Sequence, residues 1–162
     1  MTPQPPLPLD ISCSLVQKAA DAVFISVEAT NNSEQTLHMI ASVSSNKKQP
    51  YVMMNEGALE VIFGINEPDP DIDYFGVEIP FTRPLGPGEV YKEEVQIIPL
   101  TQREHFGYDQ EVTPLRGDVR VVCRFAVLRA PIEASQRHTL SLQQVLDQHE
   151  WAKPIELTVT VP

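Results

Sequence analysis

The stretch VRVVCRFAV, residues 119–127, alternates along its length. Val119, Val121, Cys123, Phe125 and Val127 fall at every second position, and the residues between them include Arg120 and Arg124. Successive side chains of an extended strand point to opposite faces, so this pattern describes a β-strand with one face on a core. The same reading extends outward in both directions. Ile155, Leu157, Val159 and Val161 alternate with Glu156, Thr158 and Thr160. Val23, Ile25, Val27 and Ala29 share a face, with Ser26 and Glu28 outside. Leu37, Met39, Ala41 and Val43 make another run, against His38 and Ser42. Leu59, Val61, Phe63 and Ile65 make a fifth, with Ile62 thickening its other side. Residues 9–16 and 89–98 complete seven, and a weaker eighth falls near 74–81.

Turn chemistry separates these runs. Asn31-Asn32-Ser33 divides two of them, and Pro84-Leu85-Gly86-Pro87-Gly88 precedes a third. Seven or eight short strands punctuated in this way predict an all-β fold: an Ig-like or fibronectin-III-like antiparallel β-sandwich. The tryptophan of Ig domains has no counterpart, because the single tryptophan is Trp151, near the C-terminus. One segment has a helical period instead. Leu142, Val145, Leu146 and His149 recur at i, i+3, i+4 and i+7, and Ser141 with Gln144 fits a capping box. A helix over 142–150, ended by Lys153-Pro154, is expected before the last strand as a lid on one end of the sandwich.

VEATNNSEQTLHM (residues 27–39), followed some fifty residues later by PLGPGEVYKEEV (residues 84–95), resembles the bacterial intracellular proteinase-inhibitor type of Ig-like domain. There a strand runs into an Asn-Asn-Ser turn, and a Pro-Gly turn precedes a strand rich in glutamate. The resemblance covers about half the chain. It implies an Ig-like fold and, more distantly, inhibition of an intracellular proteinase; no inhibitory residue is carried over.

A chain of 162 residues suits one domain. Residues 1–8 read as a Pro-rich lead-in and 9–162 as a single β-sandwich domain. Four of the first ten residues are proline, and the stretch lacks the basic and apolar regions of a signal peptide. A cytosolic (cytoplasmic) chain is the expectation. Twelve basic and 22 acidic residues leave a net charge of −10. Between Glu56 and Glu94 ten acids face only Arg83 and Lys92, a local net of −8. Such a surface repels phosphate backbones and anionic lipid, so neither nucleic acid nor membrane is the expected partner. The two cysteines, Cys13 and Cys123, each share a strand face with apolar neighbours. Both are expected to be buried free thiols, with an inter-sheet bridge as the alternative.

EPDPDIDYFGVE, residues 67–78, spaces Asp69, Asp71 and Asp73 as calcium-loop carboxylates are spaced. A twelve-residue EF-hand loop needs glycine at its sixth position and glutamate at its twelfth. Counted from Asp69, those places hold Tyr74 and Pro80. The readings left open are a looser calcium site, a partner-binding acidic loop and a solvated loop. His38, Met39, Met53 and Met54 are ligand types for Cu(I), but His38 and Met39 should face opposite sides of one strand. REHFGYDQE, residues 103–111, carries His105, Phe106 and Tyr108 on a polar connection, as interface aromatics are often placed. His105 with Asp109 has no nucleophile in a recognisable elbow to serve. Arg116-Gly117-Asp118 spells an integrin tripeptide, and Gly117 is read as the turn into the next strand. Asn31-Asn32-Ser33 formally matches a glycosylation acceptor.

The functional expectation is a non-enzymatic Ig-like protein-interaction module. Its candidate contact residues are Asp69, Asp71, Asp73 and Tyr74 with His105, Phe106 and Tyr108. Neither a cofactor nor a resident metal is expected. The alternatives are an intracellular proteinase inhibitor and a metal- or carbohydrate-binding accessory domain.

Overall fold

The computed structural model describes residues 9–19, 22–44, 47–48, 50–55, 57–64, 81–98, 101–102, 110–111, 117–133 and 142–161. Among these residues the fold is all-β with one short helix. The strands are β1 (Leu9–Ala19), β2 (Ala22–Asn31), β3 (Leu37–Ser44), β4 (Lys47–Lys48), β5 (Tyr51–Asn55), β6 (Ala58–Phe63), β7 (Phe81–Leu85), β8 (Val90–Ile98), β9 (Thr101–Gln102), β10 (Gln110–Glu111) and β11 (Gly117–Leu128). Helix α1 (Leu142–Asp147), β12 (Glu150–Trp151) and β13 (Ile155–Val161) follow.

The opening stretch lies on β11, at the centre of the larger sheet, whose main order is β4-β3-β11-β6-β5. Its alternation is realised residue by residue. Val119, Val121, Cys123, Phe125 and Val127 are buried, while Arg120 is exposed and Arg124 intermediate. β13 runs antiparallel beside the first half of β11, from Gly117↔Val161 to Cys123↔Ile155. β12 continues along the same strand, with Trp151 opposite Ala126. Between them the Ala152 amide donates to the Phe125 carbonyl at 2.8 Å. Lys153-Pro154 therefore interrupts a strand rather than ending a helix. Proline has no amide to give a ladder, so the pairing breaks there and resumes at Ile155.

The other neighbour of β11 differs from the expected antiparallel pattern. β6 runs parallel to it, from Arg120↔Ala58 to Phe125↔Phe63, while the remaining described pairings are antiparallel. A period of two states which residues share a face; it does not state which strand lies alongside, or in which direction.

The second sheet has the order β1-β2-β8. Val23, Ile25, Val27 and Ala29 of β2 and Val95 of β8 join Val121, Cys123, Phe125 and Val159 in one core. The inward faces of the two sheets thus bury their apolar residues against each other, at roughly 25 cal/mol for each Å² withdrawn from water. Phe63, Phe125 and Tyr91 meet within it, with ring centroids 5.3–6.3 Å apart.

Helix α1 is shorter than the expected 142–150. Its Val145 packs with Ile40 and Leu128, while Leu146 and Ile132 lie partly buried against them. Ile40 and Leu128 belong to the outward side of the larger sheet, so α1 covers part of that face. Beside it Tyr51 and Ile62 are buried, with Trp151 packed against them. The thickening contributed by Ile62 is this second, outer cluster.

β5 and β7 lie outside the seven runs expected from the sequence. Pro84 and Leu85, expected in a turn, end β7. Pro84 sits opposite His38, and Leu85 is buried in the core. Among the described pairings β7 bonds only to β3, and such an edge accepts proline. The weaker run near 74–81 falls almost wholly outside the described residues.

Candidate functional site

The residues chosen from the sequence as partner contacts, Asp69, Asp71, Asp73, Tyr74, His105, Phe106 and Tyr108, all lie outside the described residues. So do His105 with Asp109 as a pair, and Arg116 of the Arg-Gly-Asp tripeptide. Gly117 itself begins β11 with φ +71°, a conformation that glycine adopts without strain, as the turn reading requires.

What the described residues offer as a surface is the three-stranded sheet and its free edge. β1 is eleven residues long and bonds to β2 over nearly its full length, from Leu9↔Asn31 to Ala19↔Ala22. No described strand bonds to its other side. Its inward positions lose cover along the strand. Ile11 is buried, Cys13 is half-buried, and Leu15 is 44% exposed. Ile25, opposite Leu15 in the register, is fully buried. The facing sheet therefore covers β2 to this depth but not the far end of β1. Asp10, Ser12 and Ser14 on the outward side are exposed. Across the sheet Lys92 and Glu28 form an exposed ion pair at 3.2 Å, of the kind that contributes little to stability. At the opposite edge Val90 is 48% exposed.

The inward side of β8 is built differently. Tyr91 gives its hydroxyl to Glu93 at 2.9 Å, and the Arg83 guanidinium lies 5.5 Å from its ring centre. Burial, reinforced by the bond to Glu93, pushes the Tyr91 phenol well above its ordinary range. It is a neutral donor at any physiological pH.

The turn after β2 is held by a buried side chain. Asn31 gives its amide to the Leu85 carbonyl at 2.8 Å and to the Gln35 carbonyl at 2.9 Å. Its Oδ1 accepts from the Ser33 amide and hydroxyl. In the folded chain the acceptor nitrogen of the formal glycosylation pattern is fully buried and engaged. The turn is a structural joint between β2, β3 and β7.

His38 and Met39 face opposite sides of β3, as the strand geometry predicts. Met39 is in the main core, whereas His38 lies beside Leu128 in the register of the outward face. Among the described residues no three histidine, cysteine or acidic side chains gather as a metal-binding group. Among the same residues no helix is long and apolar enough to cross a membrane.

Both cysteines are free. Cys123 is buried, as expected, but Cys13 is only half-buried, because it stands on the edge strand. Cys123 lies within the main core, and Cys13 packs against the rim of the same core. The sequence placed each cysteine inward without stating that both enter the same core.

Comparison with protein-family models, curated proteins and solved structures finds no match to this chain.

Proposed function

We propose that the chain is a non-enzymatic Ig-like module, of the immunoglobulin or fibronectin-III type of β-sandwich, that binds another protein. The fold half of this reading rests on two strand layers sharing one core, with a turn chemistry like that of Ig-like domains. The binding half rests on one observation: an eleven-residue strand that no described strand pairs on its outer side, and whose inward Leu15 is 44% exposed. An extended peptide that adds to such an edge gains main-chain hydrogen bonds, and the alternate side chains give selectivity. An acidic chain of net charge −10 favours a partner segment carrying basic residues. The loops bearing Asp69, Asp71, Asp73 and Tyr74, and His105, Phe106 and Tyr108, are the proposed secondary contacts, and the cytosol is the proposed location.

The test is affinity capture with mass spectrometry, run side by side with the wild-type chain and with Leu15→Lys. The reading expects a partner retained by the wild type and lost by the variant, with equal melting temperatures. A partner retained equally by both removes the β1 edge from the proposal. Replacing Asp69, Asp71 and Asp73 by asparagine addresses the loop separately: association should slow and its salt dependence flatten. A calcium-induced rise in melting temperature, abolished by Asp71→Asn, would instead assign those carboxylates to a cation.

A further inference from the structure

Helix α1 sits on the outward face of the larger sheet, apart from the core between the sheets. Its seat is small: Val145 against Ile40 and Leu128, with Leu146 and Ile132 partly buried beside them. Six residues are too few to hold a helix in water, so α1 depends on that seat. Its last turn is closed by the Gln148 amide on the Val145 carbonyl and the His149 amide on the Leu146 carbonyl, each at 3.1 Å. The His149 side chain folds back onto the same turn. Its Nδ1 lies 2.9 Å from the Val145 carbonyl, and its ring centre lies 5.9 Å from that of Trp151. A carbonyl only accepts, so the neutral ring carries its proton on Nδ1 and leaves Nε2 bare. That Nε2 is buried with no hydrogen-bond partner. A second imidazole stands at the same seat. His38 of β3 is opposite Leu128 in the register, and its Nδ1 is likewise buried without a partner.

We propose that α1 is an acid-released lid: a second proton on His149 detaches the helix from the outward face and bares Ile40 and Leu128, while the sandwich stays folded. A proton placed on a buried Nε2 needs an acceptor or water. The charged groups of the surrounding elements do not supply one. Asp147 of α1 is exposed and holds the Gln143 amide. Glu150 of β12 is engaged by Arg129, the residue after β11. Arg124 of β11 lies over the Trp151 ring at 4.6 Å, a further positive charge rather than a counter-ion. Lys153, beyond β12, is exposed. Glu133 acts on His38. The bond to Val145, at the C-terminus of the helix, does favour the imidazolium, but burial outweighs it and holds His149 below its ordinary range. Water reaches Nε2 when the ring leaves its site, and the ring takes with it the bond that closes the last turn of α1.

The event is local because the seat of α1 is a cluster separate from the main core. A segment held by few buried side chains opens at a lower free energy than the sheets beneath it. The sign follows from the two states of the lid. The closed seat depresses the His149 pKa and the open one does not, so the open state takes the proton first. Above about pH 6.5 the lid stays closed. Below it, the ratio of open to closed rises about tenfold for each unit of pH, until the closed ring titrates as well. His38 is shifted in the same direction by its burial and is the second imidazole at the seat. The inference is independent of the proposed partner binding, because β1 belongs to the other sheet.

The experiment measures amide hydrogen exchange of the full chain by NMR from pH 7.5 to pH 5, as protection factors corrected for the intrinsic effect of pH. The Gln148 and His149 amides should lose protection about tenfold per unit below pH 6.5. The Cys123 and Phe125 amides of β11 should keep theirs. His149→Gln still offers a donor to the Val145 carbonyl but takes no proton, so it should remove most of the loss at Gln148. NMR titration of the His149 ring in the wild type should give a pKa below the ordinary 6.5. Protection at Gln148 and His149 that is indifferent to pH overturns the proposal. So does a loss shared equally by Cys123 and Phe125, which is unfolding of the whole chain. An undiminished loss in His149→Gln, or a His149 ring that titrates at 6.5 or above, overturns it too. The wild-type protection factors and ring titration decide the matter even if the variant seats α1 poorly.

Discussion

The Asn31 side chain reaches across from the end of β2 and donates to the Leu85 carbonyl, the last of β7, at 2.8 Å. With the bond to Gln35 and the two that Oδ1 accepts from Ser33, it satisfies buried backbone that no ladder serves. Asn31→Ala strands the Leu85 carbonyl without its donor. An unpaired buried acceptor costs about 1–3 kcal/mol, so the variant should lose roughly that much in urea denaturation. Asn32→Ala, which removes an exposed bond to Asp10, should change stability by less than about 0.5 kcal/mol. Equal losses in the two variants would mean that Asn31 is not the joint.

Phe125 is fully buried between Phe63 and Tyr91. Truncation there leaves a cavity between the two sheets that neither can close without breaking its ladder. Phe125→Ala should cost roughly 3–5 kcal/mol and move the denaturation midpoint accordingly. Phe125→Leu should lose less. Arg120→Ala, by contrast, removes only an exposed pairing with Glu156 on the other face of the same strand, and melting should be nearly unchanged.

The legibility of these elements differed for physical reasons. β11, β2 and β13 announced themselves because one face of each is buried and the other is not. β5 did not: Tyr51 and Val52, adjacent in sequence, are both buried, the first in the outer cluster and the second in the main core, so the alternation is erased. β7 was hidden by Pro84, which reads as a turn residue and is tolerated because it sits on an edge. The end of α1 was misplaced because His149 keeps the helical spacing after the chain has already turned toward β12. Inward orientation of Cys13 and Cys123 could be read from their neighbours, but their meeting in one core depends on how the sheets stack, which no local pattern encodes. The exposure at the β1 edge, which no described strand pairs, has the same origin: Leu15 matches Ile11 and Cys13 in the pattern, and the facing sheet leaves it 44% exposed.

Gly64, just after β6, lies against the Trp151 ring. A side-chain carbon there would lie 2.8 Å from the Trp151 ring and 3.0 Å from the Ala126 methyl, and φ is +154°. Gly64→Ala should therefore destabilise by about 1–3 kcal/mol, from overpacking together with backbone strain. Because Trp151 is the only tryptophan, its fluorescence should report the displaced ring without interference. Adding Trp151→Phe removes the ring atoms that clash, so the penalty of Gly64→Ala should shrink in that background. An unchanged penalty would assign the whole effect to the backbone.

His149 makes stability depend on pH through one ring. Its Nδ1 lies 2.9 Å from the Val145 carbonyl, so the neutral ring carries its proton there and donates it. Nε2 is buried without a hydrogen-bond partner. Acid must place the second proton on Nε2, in a site packed beside Trp151 with nothing to receive it. Burial accordingly holds the His149 pKa below the ordinary 6.5, against a smaller opposing effect of the bond to Val145. A depressed pKa in the folded state means that the unfolded chain takes the proton first. The contribution of His149 is then complete above about pH 6.5 and is lost as pH falls through the folded value. His38 is shifted in the same direction by burial, with Glu133 opposing, so it adds to the same slope. Melting temperatures measured from pH 8 down to pH 5 should hold level and then decline. His149→Phe keeps the ring volume but cannot be protonated. It should melt lower at pH 8, for want of the bond to Val145, yet decline less steeply, with the remaining slope removed by adding His38→Gln. If His149→Phe falls as steeply as the wild type between pH 6.5 and pH 5, the acid sensitivity resides elsewhere and the ring is only packing.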